Sequence, residues 1–304
     1  MTSLAKSRLA PVLGQHVPLR GPARLLYRSY AKTRCRPGDS ARGLTTKFGD
    51  AFNVDLSSFL EWHLWAFGSY EEHFAELFRH LIRPADRCID VGANIGVHTV
   101  RLARLVGSQG EVVALEPDAE LARRLNDNLA LNRLANVRVI QAAASERGGD
   151  TAALYRPDAR DSNKGRASLL PHSYLTGSAS RVPTVTIDDV NQGPVDLIKI
   201  DVEGHEAAVV SGAIRTIERY SPSIIFEYAP ELLLSKSSSP FGWLRDRGYA
   251  LFSISHSRNG LTGRGKLELQ RSPQLPGKGT NVLATSPSMV PRISSWVRRV
   301  GDIP

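Results

Sequence analysis

Three clusters of polar residues stand where apolar segments end. Asp90, Gly92, Asn94 and Gly96 fall in CIDVGANIGVHT, an apolar strand end running into a glycine loop and then a helix. Glu116 closes the apolar run EVVALE and is followed directly by Pro117. Asp201, Glu203, His205 and Glu206 follow VDLIKI. The two glycines of the first cluster are four residues apart. That spacing lacks the first tight pair of G-x-G-x-x-G, by which a dinucleotide pyrophosphate is packed on a helix N-terminus. D-x-G-x-x-x-G is instead the spacing typical of S-adenosylmethionine sites. That molecule has no phosphate but carries an ammonium, a carboxylate and a sulfonium, and Asp90 suits a cationic ligand. Gly92 lets the backbone turn sharply without a Cβ in the way.

Glu116 comes twenty residues after Gly96, close to the ~20-residue offset at which an acid reaches a ribose in dinucleotide folds. A carboxylate there accepts from both ribose hydroxyls. Methyl transfer from a sulfonium is a displacement that needs alignment above all, helped at a hydroxyl acceptor by a base. Asp201, Glu203 and His205 are the catalytic candidates. Glu206 reads as a stabiliser of the helix N-terminus. Glu227, next to last in SIIFEY, falls on the same rim and either contacts the acceptor or caps a neighbouring loop.

These residues need a scaffold that gathers strand ends. RCIDV, EVVALE, NVRVIQAA, VDLIKIDV and SIIFEY read as strands, and GVHTVRLARLV, DAELARRLNDNLALN and HEAAVVSGAIRTIERY as helices between them. Upstream, TTKFGDAFNVDL reads as a hairpin and SYEEHFAELFRHLI as a helix. TAALYR and TVTIDDV are weaker strands in an irregular stretch. Strands alternating with helices imply a parallel sheet covered on both faces. YALFSIS and GTNVLAT, with no strong helix between them, imply an antiparallel edge.

IDVGANIGVHT, LEPD, NLALN followed by NV, TIDD and DLIKIDVEGHE, in this order and with these separations, resemble the FkbM family of S-adenosylmethionine-dependent methyltransferases. The likeness runs from about Phe48 to Ser286 and includes YEEHF. It implies a class I methyltransferase fold: an α/β, Rossmann-like, doubly wound sheet of seven strands with an antiparallel edge strand. It also implies O-methylation of a hydroxyl on a sugar, glycolipid or polyketide-type metabolite. By position, Asp90, Gly92, Asn94 and Gly96 would line the cofactor loop, Glu116 would hold the ribose and Ala143 would lie by the adenine. Asp201 and Glu203 would face the reaction centre. NKGRASL resembles the family's substrate-side loop, with Ser168 and Asn163 as acceptor contacts. His98 and Thr99 read as ordinary first-turn helix residues.

The net charge of +9 is confined to the N-terminus, where ten basic residues face one acid up to Lys47. Residues 1–44 are therefore read as a basic, poorly ordered arm, 45–286 as the methyltransferase domain and 287–304 as a tail. The arm reads as solvated or loosely docked, with weak contact to an anionic membrane surface as a second reading. RNA methylation is the rival it raises, yet DVEG stands where base methylases commonly carry Asn/Asp-Pro-Pro-aromatic. No nucleic-acid partner is expected. A noncatalytic module that keeps the fold is a further alternative. Only Cys35 and Cys88 occur, which gives no disulfide framework and no metal site. No stretch approaches the ~20 apolar residues of a membrane helix, so the expected setting is cytoplasmic, with the membrane surface as the alternative through the arm.

Overall fold

The structure, a computed structural model, describes residues 41–158, 165–228, 240–258, 265–272 and 279–298. A hairpin of β1 (Ala41–Thr45) and β2 (Ala51–Asp55) leads into α1 (Phe59–Phe67) and α2 (Glu72–Leu81). Next come β3 (Arg87–Val91), α3 (Val97–Val106), β4 (Glu111–Leu115), α4 (Ala119–Leu131) and β5 (Val137–Ile140). The irregular stretch holds β6 (Ala143–Ala144), β7 (Thr151–Tyr155), β8 (Ala179–Val185) and a short α5 (Ile187–Val190). Then follow β9 (Leu197–Ile200), α6 (Glu206–Ser211), α7 (Ile214–Tyr220), β10 (Ser223–Tyr228) and α8 (Pro240–Asp246). β11 (Ala250–Arg258), β12 (Gly265–Arg271), β13 (Thr280–Thr285), α9 (Val290–Ile293) and β14 (Val297–Arg298) complete the described elements.

The main sheet has the order β14-β12-β11-β13-β10-β9-β3-β4-β5. Strands β5, β4, β3, β9 and β10 run parallel, and β13 runs antiparallel to both β10 and β11. This is the doubly wound architecture expected from the sequence, but with nine strands in place of the expected seven, because β12 pairs antiparallel with β11 and β14 pairs parallel with β12. One apolar cluster, with Ile89, Ile198, Val210, Ile217 and Phe226, fills one face beneath α6 and α7. A second, with Phe74, Phe78, Leu102, Leu197 and Leu283, fills the other beneath α2 and α3. Burial of each such side chain stabilises the fold by roughly 1.5–3 kcal/mol.

Several local expectations shift. The long helix after VDLIKIDV breaks in two at Gly212, where a Cβ would come within 2.0 Å of the Ser145 carbonyl oxygen. TVTIDDV is strand only to Val185, because the Thr186 hydroxyl accepts from the Asp189 N–H and starts α5. Ala41–Leu44, inside the expected arm, are part of the fold, because β1 pairs Ala41 with Asp55. The remainder of the arm, residues 1–40, lies outside the described residues. Residues 287–298 of the expected tail are folded as well. Ile293 is fully buried under α2, and β14 extends the sheet by pairing with β12.

Two asparagines of NLALN join the hairpin to the glycine loop. Asn128 accepts from the Asn53 N–H and donates to the Ile95 carbonyl, both at 2.9 Å. Asn132, one turn on, accepts from the Ala51 N–H at 2.9 Å and donates to the Ala51 carbonyl at 2.7 Å. Asn136 completes the set by donating to the carbonyls of Ala103 and Gly107 at the end of α3. No described helix is long and apolar enough to cross a membrane.

Gly96 sits at φ +91°, and a Cβ there would lie 2.4 Å from Leu125 Cδ1. Its role is thus to let α3 start against α4. Gly96→Ala should cost roughly 1–3 kcal/mol in urea denaturation, through overpacking and an unfavourable φ. With Leu125→Ala added, the double variant should be more stable than the sum of the single losses. Simple additivity would show that Leu125 is not what the glycine accommodates.

Candidate active site

The strand order reverses between β3 and β9, and a cavity of about 220 Å³ opens at the carboxyl ends of the strands there, the usual ligand position in such sheets. Its first wall is the glycine loop. Gly92 and Ala93 both donate their N–H groups to the Leu115 carbonyl, which clamps the loop across to β4. Gly92 is at φ +75°, and a Cβ there would meet the Asp201 carbonyl oxygen at 1.9 Å. Only glycine permits this close passage of two strand ends. Asn94, left-handed at φ +53°, donates its N–H to Glu116 Oε2 at 2.8 Å. The other carboxylate oxygen accepts from the Asp118 N–H at 2.9 Å. Burial pushes the Glu116 carboxyl up to about 7, against the pull of those two N–H groups. Beside it lie the apolar groups of Leu121, Ala143 and Leu154.

Beneath the loop is a buried charge cluster. The Lys199 ammonium, with its side chain 3% exposed, lies 3.5 Å from Asp90 and 3.3 Å from Asp201. Burial opposes its charge, but Asp201, Asp90 and Glu71 more than offset this and hold it above the usual lysine value. Asp90 is fully buried and also accepts from the Thr99 hydroxyl at 2.6 Å. It therefore does not line the cavity as expected. It anchors the floor by holding Lys199 and the first turn of α3. Gly96 is likewise absent from the wall, since its open side is filled by Leu125.

The far end of the cavity is polar. Asp201 is 44% exposed there. Glu203, left-handed at φ +51°, faces the Arg166 guanidinium at 3.4 Å. Burial raises its carboxyl, Arg166 opposes that, and Asp201 adds to it. His205 also reaches the cavity and shares a hydrogen bond with Ser145 Oγ at 3.0 Å, burial holding its ring below the usual value. Glu206 stays out of the cavity and accepts from the Gly204 N–H at 3.1 Å, the helix-end role expected of it. Burial raises its carboxyl to about 7.

Of the predicted residues, Gly92, Asn94, Glu116, Ala143, Asp201, Glu203 and His205 share this one cavity. Sequence reasoning missed Lys199, Tyr70, Glu71, Arg166 and Asn281, which also line it. A lone lysine in the apolar run DLIKI was the available signal for Lys199. His98 is not the ordinary helix residue expected, because Nε2 lies 2.9 Å from Glu71 and the ring faces the cavity. Burial raises Glu71, but the hydrogen bond and charge of His98 outweigh it and hold the carboxyl below its usual range. Ser168 is buried, donating to the Glu203 carbonyl at 2.9 Å and accepting from the Leu170 N–H, so it fastens a wall. Asn163 lies outside the described residues.

This donor set fits S-adenosylmethionine. An apolar slot suits adenine, the Glu116 carboxylate suits the ribose diol, and the acidic far end suits the ammonium and sulfonium. A family model described as the methyltransferase FkbM domain matches residues 90–250. The chain is 29% identical over 140 residues to the protein-L-isoaspartate O-methyltransferase of Ignicoccus hospitalis, covering 46% of this chain and 58% of that protein. It is 28% identical over 133 residues to the hexuronic acid methyltransferase AglP of Haloferax volcanii, covering 42% of this chain and 50% of that one. The chain thus spans about half the length of the curated relatives it matches. The solved structure of an FkbM methyltransferase from Methylobacillus flagellatus covers 69% of this chain and 50% of its own, at 16% identity and a TM-score of 0.42.

Glu116 and Glu206 at about 7 and Glu227 at about 8 all lie above the ordinary glutamate value. The native state therefore binds these protons more tightly than the unfolded chain does. Their contribution to stability is full below about pH 4.5 and is lost as pH rises through 7 to 8. Glu71 has the opposite sign: its contribution is present above about pH 4.5 and is lost in acid. Ligand-free protein should melt several degrees lower at pH 8 than at pH 5.5, and Glu206→Gln should flatten the fall. A variant as pH-dependent as wild type would show that Glu206 is not ionising against burial.

Proposed function

The chain belongs to the FkbM methyltransferase family, and from that premise we propose that it methylates a hydroxyl oxygen of a sugar, glycolipid or polyketide-type metabolite, using S-adenosylmethionine. The observation that carries this reading is the union of the glycine loop with Glu116. The Asn94 N–H holds the Glu116 carboxylate at 2.8 Å, so the diol acceptor and the loop form one rigid unit beside the apolar slot. When bound, the cofactor supplies an electrophilic methyl group on sulfur. The protein holds the ribose end through Glu116 and places the other end among Asp201, Glu203 and Glu71. Those carboxylates favour a cationic group there. Asp201 and Glu203 flank the reaction centre, each already held by a cation, Lys199 and Arg166. His205 stands at its margin, tied to Ser145. The names of the two relatives, an isoaspartate O-methyltransferase and a hexuronic acid methyltransferase, support oxygen as the acceptor atom and a carbohydrate as acceptor.

Calorimetry with S-adenosylhomocysteine should give a dissociation constant in the micromolar range or tighter. Glu116→Ala should weaken it by about 10–100-fold, the worth of hydrogen bonds to a charged group. Absence of heat in the wild-type titration would sink the cofactor assignment. For the acceptor, methyl-labelled cofactor should be incubated with neutral sugars, hexuronates and a glycolipid extract. Label should appear in an alkali-stable ether. Label only in an alkali-labile ester would mean that a carboxyl, not a hydroxyl, is the acceptor.

A further inference from the structure

Glu116 on the β4 side marks the ribose end of the cavity, so the reacting end lies across β3, toward β9, β10 and β13. Three side chains close that end. Asp201 and Glu227 each stand one residue beyond the paired positions Ile200 and Phe226 on neighbouring parallel strands. Asn281 on β13 is the antiparallel partner of Glu227. Alternation along β10 turns Ile224 and Phe226 into one core cluster and Ile225 into the other. Glu227 therefore shares the face of Ile225, as Asn281 shares that of Leu283. Both line the cavity.

The cavity carboxylates differ in their partners. Glu71 has His98, Asp201 has Lys199, Glu203 has Arg166, and Glu116 has two backbone N–H groups. For Glu227 the described residues supply no hydrogen-bond or ion-pair partner. Burial and the surrounding acids, Asp201 and Glu203 after β9, Glu206 on α6 and Glu71 before α2, raise its carboxyl to about 8. Tyr70 lines the same cavity, and burial together with the charges of Glu71, Asp201, Glu203 and Glu227 raises its phenol above the usual value. The nearby cations Lys199 and Arg166 are held by other acids.

We propose that Glu227 takes the proton of the acceptor hydroxyl, with Asn281 beside it to orient that hydroxyl. The assignment rests on the methyl-transfer reading above. The acceptor oxygen bonds to the methyl carbon as its O–H proton passes to the Glu227 carboxylate. The carbon–sulfur bonding pair stays on sulfur, which leaves as a neutral thioether. Glu227 then returns the proton to solvent. Glu227 would ionise more readily beside the positive sulfur of a bound cofactor, which would supply the anion this step requires.

Calorimetric titrations at pH 7 in two buffers of different ionisation enthalpy count the protons exchanged. S-adenosylmethionine should drive out roughly half to one proton more than S-adenosylhomocysteine, which lacks the positive sulfur. Glu227→Gln should bind S-adenosylhomocysteine within about threefold of wild type and lose that excess. Equal release with both ligands, or an excess that survives in the variant, would overturn the assignment. If wild type binds neither ligand, the methyl-transfer reading fails and takes this one with it. With an acceptor from the labelling panel, Glu227→Gln should lower kcat by about 10²–10⁴-fold, with KM little changed and Glu227→Asp partly active. A variant with wild-type kcat would equally refute the role.

Discussion

A lysine ammonium buried between two aspartates holds this site together. Lys199 sits next to the end of β9 with its side chain 3% exposed, where an unpaired cation is costly. The charge is tolerable only because Asp90 on β3 and Asp201 after β9 both face it. Breaking such a pair from one side leaves an uncompensated charge, a loss of about 3–5 kcal/mol. The two strands that meet at the reversal of the sheet are thus tied in register at the point where a ligand must enter. The glycine loop inherits its position from this tie, because Gly92 passes against the Asp201 carbonyl with no room for a Cβ.

The same arrangement explains why the cavity is polarised. Asp90 is consumed by Lys199 and Thr99 and contributes nothing to the wall. Asp201 is only half consumed, and its exposed side lines the cavity. Further carboxylates gather around it from elements far apart in sequence: Glu71 before α2, Glu203 before α6 and Glu227 on β10. Burial first, and then the charges of Asp201, Glu203, Glu206 and Glu71, lift the Glu227 carboxyl to about 8. At the opposite end Glu116, held by two backbone N–H groups, shares the wall with the apolar Leu121, Ala143 and Leu154. A ligand with an apolar ring, a diol and a cationic tail meets its complement in that order.

Around this centre the chain spends several asparagines on geometry. Asn128 and Asn132, one helical turn apart on α4, supply amide groups that replace a neighbouring strand for β2. Asn128 also holds the Ile95 carbonyl at the end of the glycine loop. The hairpin is thereby fixed to the same helix that packs on Gly96. Three non-glycine residues in the left-handed region, Glu71, Asn94 and Glu203, line the cavity. Such backbone is unfavourable for ordinary side chains and persists where surrounding contacts enforce it. At Glu203 the contacts are plain, since Ser168 donates to its carbonyl and Arg166 holds its carboxylate.

The order of strands and helices, the glycine loop, and the acids at the ends of β4 and β9 were legible in the sequence, because each is written in neighbouring residues. An apolar run, a glycine and a carboxylate within ten positions state both an element and where it stops. Which acids face the ligand was not legible. Asp90 and Asp201 follow similar apolar runs, yet one is buried under the loop and the other opens to the cavity. That difference arises from pairing across the sheet with Lys199. Nor did the sequence tell that β12 lies between β11 and β13 in chain order, or that residues 287–298 fold back to bury Ile293. Those stretches are short and bury their apolar groups only against partners distant in the chain. Local pattern determined the elements and the cofactor loop. Only the tertiary structure decided which charges cancel and which remain free to act, because the cancelling partners stand on different strands.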